Sequence, residues 1–227
     1  MINICGNHDY VTDDASFVKN LLQRLWAYWC LKALGTMGFI ALFFTLYFYL
    51  LTHHYFSVTS VPLTGIDKLI PFNPMYLYFY LSLWVYVSLP PALMKSKKEL
   101  FYYGGYVGVL SLIGILFYVL FPTVIPQDIH DWENSPDINW LKSVDMGGNA
   151  FPSMHVASAF FSFFWLNTHL MSMNASMNIR IINFFWCMGI IYSTMAIKQH
   201  VFLDVLGGLI LGAVISFYTL QHHKKAF

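Results

Sequence analysis

The sequence contains little charge. Only 10% of its 227 residues are Asp, Glu, Lys or Arg, whereas 58% are hydrophobic and 19% are aromatic. A water-soluble domain of this length usually has about 25% charged residues. The scarcity of charge therefore excludes an ordinary soluble domain and indicates that lipid surrounds most of the chain. We expect a single membrane domain over residues 1–227.

The chain also lacks a basic cluster and a cysteine framework. Its net charge is +1, and without a basic stripe it could not neutralise a run of phosphates, which argues against nucleic acid as a partner. Its three cysteines, Cys5, Cys30 and Cys187, are scattered without the spacing of metal ligands. We therefore expect no zinc site and no disulfide framework.

Long stretches without charged residues predict membrane-spanning helices. A helix needs roughly 20 apolar residues to cross the hydrocarbon core, and a span cannot leave backbone polar groups unpaired in lipid. We therefore expect an all-α integral membrane bundle of six helices. The predicted spans cover residues 31–52, 72–94, 102–121, 151–171, 179–197 and 201–220.

A shorter amphipathic segment precedes the first predicted span. Between residues 15 and 30, apolar side chains that include Phe17 and Leu21 recur at helical spacing, while Lys19 and Arg24 occupy the other face. This pattern predicts an interfacial helix that lies along the membrane. A simple extension of the first span is the alternative.

The distribution of basic residues predicts the orientation of the bundle. When the ends and loops are assigned alternately to the two sides, most Lys and Arg residues fall on one side. Because such residues concentrate in cytoplasmic loops, we expect both termini in the cytoplasm. The opposite side carries an acidic loop over residues 122–150. Its length is typical of a lid or a substrate entrance, with a solvated connector as the alternative.

The first polar motif lies at the predicted start of the fourth span. Gly148 and Asn149 precede the run Pro-Ser-Met-His at residues 152–155. Glycine followed by proline at a helix start leaves the first-turn amides free, and Ser153 adds a hydroxyl beside them. The segment therefore predicts an anion cradle. His155 would lie within one turn of the helix end, where it could protonate a neighbouring phosphate.

The second polar motif joins the fifth and sixth predicted spans. It contains Ser193, Lys198, His200 and Asp204. The i, i+4 spacing of His200 and Asp204 lets the carboxylate orient the imidazole, and an oriented imidazole is a competent nucleophile. Lys198 and Ser193 would add a cation and a donor for phosphoryl oxygens. The alternatives are an interfacial histidine and an aspartate that only caps its helix.

Together the two motifs resemble those of the type 2 phosphatidic acid phosphatase superfamily of membrane phosphatases and phosphotransferases. Residues 152–155 are similar to its P-S-x-H segment, and Ser193 through Asp204 keeps its S-x6-H-x3-D spacing. The resemblance implies that His200 attacks phosphorus to form a phosphohistidine and that His155 protonates the leaving group. It also implies that Asp204 orients the nucleophile and that no metal or cofactor takes part.

The sequence departs from the family pattern at two places. The family's first motif, a Lys and an Arg-Pro pair, is not recognisable in residues 121–126, and Thr194 stands where an Arg usually follows the motif serine. Residues 70–74, 121–123 and 198–200 are similar instead to the branch that contains the inositol phosphorylceramide synthases. That branch implies transfer of a lipid head group as well as hydrolysis, and it leaves Lys198 as the compensating cation.

Three hypotheses for the function follow. The leading one is a phosphohydrolase that acts on a lipid phosphate or pyrophosphate at the non-cytoplasmic membrane surface, with membrane lipids as its surroundings. The second is a lipid phosphotransferase that uses the same residues and an alcohol in place of water. The third is an ion transporter or proton-coupled transporter. A transporter predicts polar groups throughout the bilayer depth, whereas here they gather at one face.

Overall fold

The computed structural model describes residues 11–126, 141 and 147–226. Most of this part of the chain is helical, which confirms the all-α class. The α-helices, in chain order, are α1 Val11–Trp26, α2 Trp29–Thr52, α3 Gly65–Leu69, α4 Leu77–Leu81, α5 Leu83–Ala92, α6 Lys97–Leu120, α7 Met154–Ser172, α8 Met177–Ala196 and α9 Phe202–Ala226. A 3-10 helix, Pro74–Tyr76, precedes α4, and the two-residue strands β1 Thr59–Ser60 and β2 Thr123–Val124 pair in parallel. Most of the predicted acidic loop lies outside the described residues.

Four of the described helices are long and apolar enough to cross a membrane. They are α2, α6, α8 and the part of α9 that ends at His223, and they correspond to the first, third, fifth and sixth predicted spans. Large apolar side chains on α2, such as Leu34 and Met37, are about 70% exposed. Such a surface is unusual in water and natural in lipid, so these helices associate the chain with a membrane.

The other two predicted spans have a different form. Residues 72–94 contain the 3-10 helix, α4 and α5, with Ser82 between the two α-helices and Pro90 and Pro91 inside α5. The fourth predicted span corresponds to α7, which packs centrally against α5, α8 and α9. That these two segments also cross the membrane, giving six spans, stays a prediction.

The predicted amphipathic segment forms α1, which a sharp break separates from α2. Tyr28 has the left-handed backbone conformation, with φ of 56°, so α1 does not simply continue α2. Arg24 attaches α1 to the end of α7, since Nη2 donates to Ser172 Oγ at 2.9 Å and Nη1 lies 3.4 Å from His169 Nδ1. The interfacial position of α1 stays a prediction.

Glycines on α9 allow it to approach the start of α7 closely. A Cβ at Gly208 would lie 2.4 Å from the carbonyl oxygen of Ser153, and one at Gly212 would lie 2.7 Å from that of Ala157. Both distances are shorter than any ordinary contact, so a larger residue at either position would push the helices apart. This close packing brings the two polar motifs together.

Candidate active site

Ser153 fixes the start of α7 and with it the first motif. Its hydroxyl accepts the Val156 N–H at 3.3 Å, which is the bond of a helix N-cap. Its backbone N–H donates to the carbonyl of Asp204 at 3.0 Å, which joins α7 directly to the first turn of α9. The predicted contact of the Ser153 hydroxyl with phosphate stays a prediction, because in this structure the hydroxyl caps the helix.

The imidazole of His155 lies against two aromatic rings. It stacks on Tyr80, with ring centroids 4.0 Å apart and planes inclined by 12°, and it meets the edge of Trp84 at 5.6 Å. The Tyr80 hydroxyl lies 3.4 Å from His155 Nδ1. His155 Nε2 is buried and has no hydrogen-bond partner among the described residues. The rings therefore hold the imidazole in one orientation and leave Nε2 for a ligand.

His200 lies in the short turn between α8 and α9. The turn forms because α8 ends at Ala196 and Lys198 takes the left-handed conformation, with φ of 57°. The carbonyl of Thr194 then accepts two backbone N–H groups, that of Gln199 at 2.9 Å and that of His200 at 3.0 Å. These two bonds fix the backbone on the α8 side of His200.

Asp204 faces His200 from the first turn of α9, as the i, i+4 spacing predicts. The distance from its Oδ2 to His200 Nδ1 is 3.6 Å, which is longer than a hydrogen bond and short enough for a strong electrostatic contact. The same oxygen accepts the Val201 N–H at 3.1 Å, and the aspartate is completely buried. The carboxylate is thus placed to orient the imidazole and to stabilise it when it is protonated.

The two histidines both line one large cavity. Their ring centroids are 6.3 Å apart and the ring planes are inclined by 48°. The cavity has a volume of about 860 Å³ and is lined mainly by apolar side chains of α2, α4, α5, α6 and α7. Asn149, Ser158 and both histidines supply polar groups to its wall. An apolar pocket with a few convergent polar groups is the usual form of a small-molecule site.

Gly148 and Asn149, both predicted to bind phosphate, lie just before α7. Gly148 forms a bridge with Val124 of β2, and a Cβ on it would lie 2.9 Å from Leu51. Asn149 is almost completely buried, and its Nδ2 donates to the Tyr47 carbonyl at 3.1 Å. Its Oδ1 has no partner among the described residues. The unused atom of Asn149 is therefore an acceptor, which suits a hydroxyl better than an ionised phosphate oxygen.

Ser193 and Lys198 make contacts within the protein rather than with the cavity. The Ser193 hydroxyl donates to the Ile190 carbonyl of its own helix at 2.6 Å. The Lys198 ammonium donates to the carbonyls of Asp67 and Ile70 at 3.1 and 2.5 Å. Burial lowers the pKa of Lys198, and the charge of Asp67 opposes that shift. Contact of either residue with phosphate stays a prediction that this geometry does not favour.

Three residues near the site were missed by sequence reasoning. Tyr80 and Trp84, which contact His155, lie within an apolar stretch rich in aromatic residues, where nothing distinguishes them from lipid-facing side chains. Asp67 is different, because Thr64 and Asp67 form a capping box around α3. The T-x-x-D spacing of a capping box is visible in the sequence and could have indicated that this aspartate begins a helix.

Comparison with known proteins agrees with the motifs. A family model described as PAP2 superfamily matches residues 98–227, more than half of the chain, and both histidines and Asp204 lie in the matched part. No curated protein and no solved structure matches the chain significantly.

Proposed function

Since the chain belongs to the PAP2 superfamily, whose members are phosphatases or phosphotransferases, we propose that it is a membrane-embedded phosphohydrolase of a lipid phosphate or pyrophosphate. The observation that carries this proposal is the meeting of His155 and His200, 6.3 Å apart between ring centroids, in the wall of one mainly apolar cavity. The cavity suits the hydrocarbon part of a lipid, and the two imidazoles suit the chemistry of its phosphate.

In the first step, His200 Nε2 attacks phosphorus and the bond from phosphorus to the leaving oxygen breaks. Asp204 lies 3.6 Å from Nδ1, so it favours the tautomer that carries its proton on Nδ1 and keeps Nε2 free. His155 donates a proton to the leaving oxygen. A phosphoryl group about 3–3.5 Å from each ring fits between them. The products are the lipid alcohol, or a lipid monophosphate from a pyrophosphate, and a phosphohistidine at His200.

In the second step, water attacks the phosphohistidine and the bond from phosphorus to His200 Nε2 breaks. His155, which lost its proton in the first step, accepts one from the attacking water as a general base. Inorganic phosphate leaves and both histidines return to their starting protonation states. The partner-free Nε2 of His155 supports this exchange of roles, because no protein group competes for it among the described residues.

The charge at the site favours a phosphate with a single negative charge. Among the described residues that line the cavity, Lys32 is the only Lys or Arg. Tyr47, whose carbonyl binds Asn149, marks the level of the site on α2. Lys32 lies roughly 22 Å from Tyr47 along this helix, at 1.5 Å per residue. Thr194, at the position of a family arginine, is buried and donates its hydroxyl to a carbonyl of its own helix. Among the described residues, the N-terminus of α7, equivalent to about half a positive charge, and the partner-free Nε2 of His155 remain to bind the anion.

A second candidate function, transfer of the phosphoryl or phospho-head group to an alcohol, is favoured by Asn149. Its buried Oδ1 lies in the cavity wall without a partner among the described residues, and it would accept a hydrogen bond from a hydroxyl. A lipid alcohol fits there as well as water does. The resemblance of residues 198–200 to the inositol phosphorylceramide synthase-like branch points to the same reaction.

The predicted orientation is part of the proposal. With both termini in the cytoplasm, the starts of α7 and α9 and the site between them face the exterior or an organelle lumen. A membrane-impermeant thiol reagent tests this assignment in a cysteine-free variant. We expect labelling of a Lys68→Cys variant in intact membranes, and labelling of a Lys98→Cys variant only after permeabilisation. The reverse pattern would exclude the predicted orientation.

The decisive experiment is a product assay with purified protein in detergent. Lipid phosphates and pyrophosphates are supplied with and without alcohol acceptors, and both free phosphate and new phospholipids are measured. We expect free phosphate from the wild-type protein and none from His200→Ala, together with an acid-labile phosphoprotein in the wild type alone. A new phospholipid in place of phosphate would select the transferase. Equal activity in His200→Ala would reject both candidates.

A further inference from the structure

The turn that carries His200 is attached on both sides to the segment around α3. On the α8 side, the Lys198 ammonium donates to the carbonyls of Asp67 and Ile70 at 3.1 and 2.5 Å. On the α9 side, the Phe202 N–H donates to Asp67 Oδ1 at 2.7 Å. Each attachment point lies two residues from His200. Movement of the nucleophile's backbone relative to the segment therefore breaks at least one of these bonds.

A third bond extends this attachment to the end of α8. The Asn73 N–H donates to the carbonyl of Ala196, the last residue of α8, at 2.9 Å. Residues 64–73, here called the bracket segment, thus contact the chain before, within and after the turn. The match to the PAP2 superfamily begins at residue 98. The bracket segment therefore lies outside the part of the chain that the family model describes.

Asp67 is built into this arrangement through both carboxylate oxygens. Oδ2 accepts the backbone N–H and the hydroxyl of Thr64 at 2.7 and 2.8 Å, and Oδ1 accepts the Phe202 N–H. Asp67 is only 6% exposed, so loss of these partners would leave a buried carboxylate unsatisfied. The local cap at Thr64 and the bond to Phe202 use different oxygens, so the two roles can be separated by substitution.

The bond from Asp67 also completes the start of α9. Phe202 is the first residue of α9, and an N–H in the first turn has no acceptor within its helix. Asp67 Oδ1 supplies that acceptor. Asp204 Oδ2 accepts the N–H of the preceding residue, Val201, while it faces His200. The two carboxylates thus bind successive backbone amides at the start of the helix that carries Asp204.

We infer that Asp67 and Lys198 are positioning residues, which hold His200 at the distance from His155 and Asp204 that phosphoryl transfer needs. Lys198 then acts through the backbone and not as the phosphate-binding cation that its sequence context predicts. The inference rests on the proposed function, because it explains how the proposed nucleophile is held. Neither side chain touches substrate in this role, so their loss slows the chemical step and leaves substrate binding nearly unchanged.

The test compares Asp67→Ala and Lys198→Met with controls on the same short helix. Lys68→Met removes one positive charge from an exposed neighbour of Asp67. Thr64→Val, at the residue before this helix, removes the hydroxyl's contacts within the capping box and leaves the bond from Phe202 to Asp67 Oδ1. We expect kcat for phosphate release to fall about 10- to 100-fold in Asp67→Ala and Lys198→Met, with KM within about threefold of wild type. Both controls should stay within about twofold of wild type.

Lys198→Arg separates positioning from phosphate binding. An arginine can still donate to the two carbonyls, so this variant should recover most of the kcat that Lys198→Met loses. If Asp67→Ala does not fold, the comparison of Lys198→Met with Lys198→Arg tests the inference. Wild-type kcat in a folded Asp67→Ala or Lys198→Met protein would overturn the inference, and so would a raised KM with unchanged kcat.

Hydrogen exchange provides a readout that does not depend on activity. Without substrate, the peptide covering residues 197–203 should exchange faster in Asp67→Ala and Lys198→Met than in wild type and Lys68→Met. Unchanged exchange would overturn the inference. A wild-type protein inactive toward every lipid phosphate would reject the proposed function alone, and the exchange rates would still decide whether the bracket segment holds the turn.

Discussion

Gly208→Ala tests whether the close approach of α7 and α9 builds the active site. A Cβ at this position would lie 2.4 Å from the Ser153 carbonyl oxygen and 3.0 Å from Val156 Cβ. The carbonyl is backbone and cannot rotate away, so the helices must separate by roughly 0.6–1 Å to restore ordinary contact. Overpacking of this kind costs about 1–3 kcal/mol. For a rigid backbone contact we expect the upper end of that range, which exceeds the roughly 1 kcal/mol that alanine gains over glycine in a helix.

The separation would move His155, which lies two residues after Ser153, away from His200. Because a displacement of about 1 Å can lower a rate about 100-fold, we expect kcat to fall about 10- to 100-fold. Phosphate release from a lipid phosphate in detergent measures this effect, and thermal unfolding in the same detergent measures the loss of stability. Gly38→Ala is the matched control, since a Cβ there meets nothing within 4 Å. Wild-type kcat in Gly208→Ala would show that the close approach of α7 and α9 does not determine the geometry of the site.

Four further predictions concern the chemistry. Asp204→Asn should lower kcat by about two to four orders of magnitude yet retain a detectable phosphohistidine, since the nucleophile survives without its orienting charge; a loss as complete as that of His200→Ala would contradict this role. His155→Ala should impair lipid phosphates more than an activated aryl phosphate, whose leaving group needs no proton, and equal impairment would argue against a general acid. A chelator should leave phosphate release unchanged, whereas inhibition reversed by a divalent ion would contradict a metal-free reaction. Finally, kcat/KM for a phosphate monoester should fall relative to that for a diester as pH rises through about 6, where the monoester loses its second proton; a constant ratio would contradict the preference for a singly charged phosphate.

The pairing of Asp204 with His200 could be predicted because its constraint is local. His200 and Asp204 are four residues apart along the chain, His200 in the turn before α9 and Asp204 in its first turn, and the structure places the pair at 3.6 Å. The apolar runs likewise predicted the positions of α2, α6, α8 and α9, since a span is set by its own composition. That His155 would share one membrane face with His200 followed from the alternation of spans. The ring centroids, 6.3 Å apart, agree with that expectation.

Long-range relations could not be predicted in the same way. A lysine reaches several acceptors, and nothing in the run around Lys198 indicates that its ammonium would find carbonyls of a segment about 130 residues earlier. Glycine spacing was equally ambiguous. Gly104 and Gly108 have the separation typical of helix contacts, but a Cβ at either would meet nothing within 4 Å, whereas Gly208 and Gly212 make the close approach to α7.

The start of α9 explains how two buried carboxylates, those of Asp67 and Asp204, are accommodated in a lipid-surrounded chain. Among the described residues, neither Asp67 nor Asp204 has a Lys or Arg within salt-bridge distance, and only Asp204 has an ion-pair partner, which is His200. Each instead accepts a backbone N–H at the start of α9, that of Phe202 for Asp67 and that of Val201 for Asp204. These amides need acceptors in any case, and the positive end of the helix dipole favours negative charge there. Among the described residues, the helix start therefore stabilises Asp204 without a competing Lys or Arg, so its charge remains directed at the imidazole of His200.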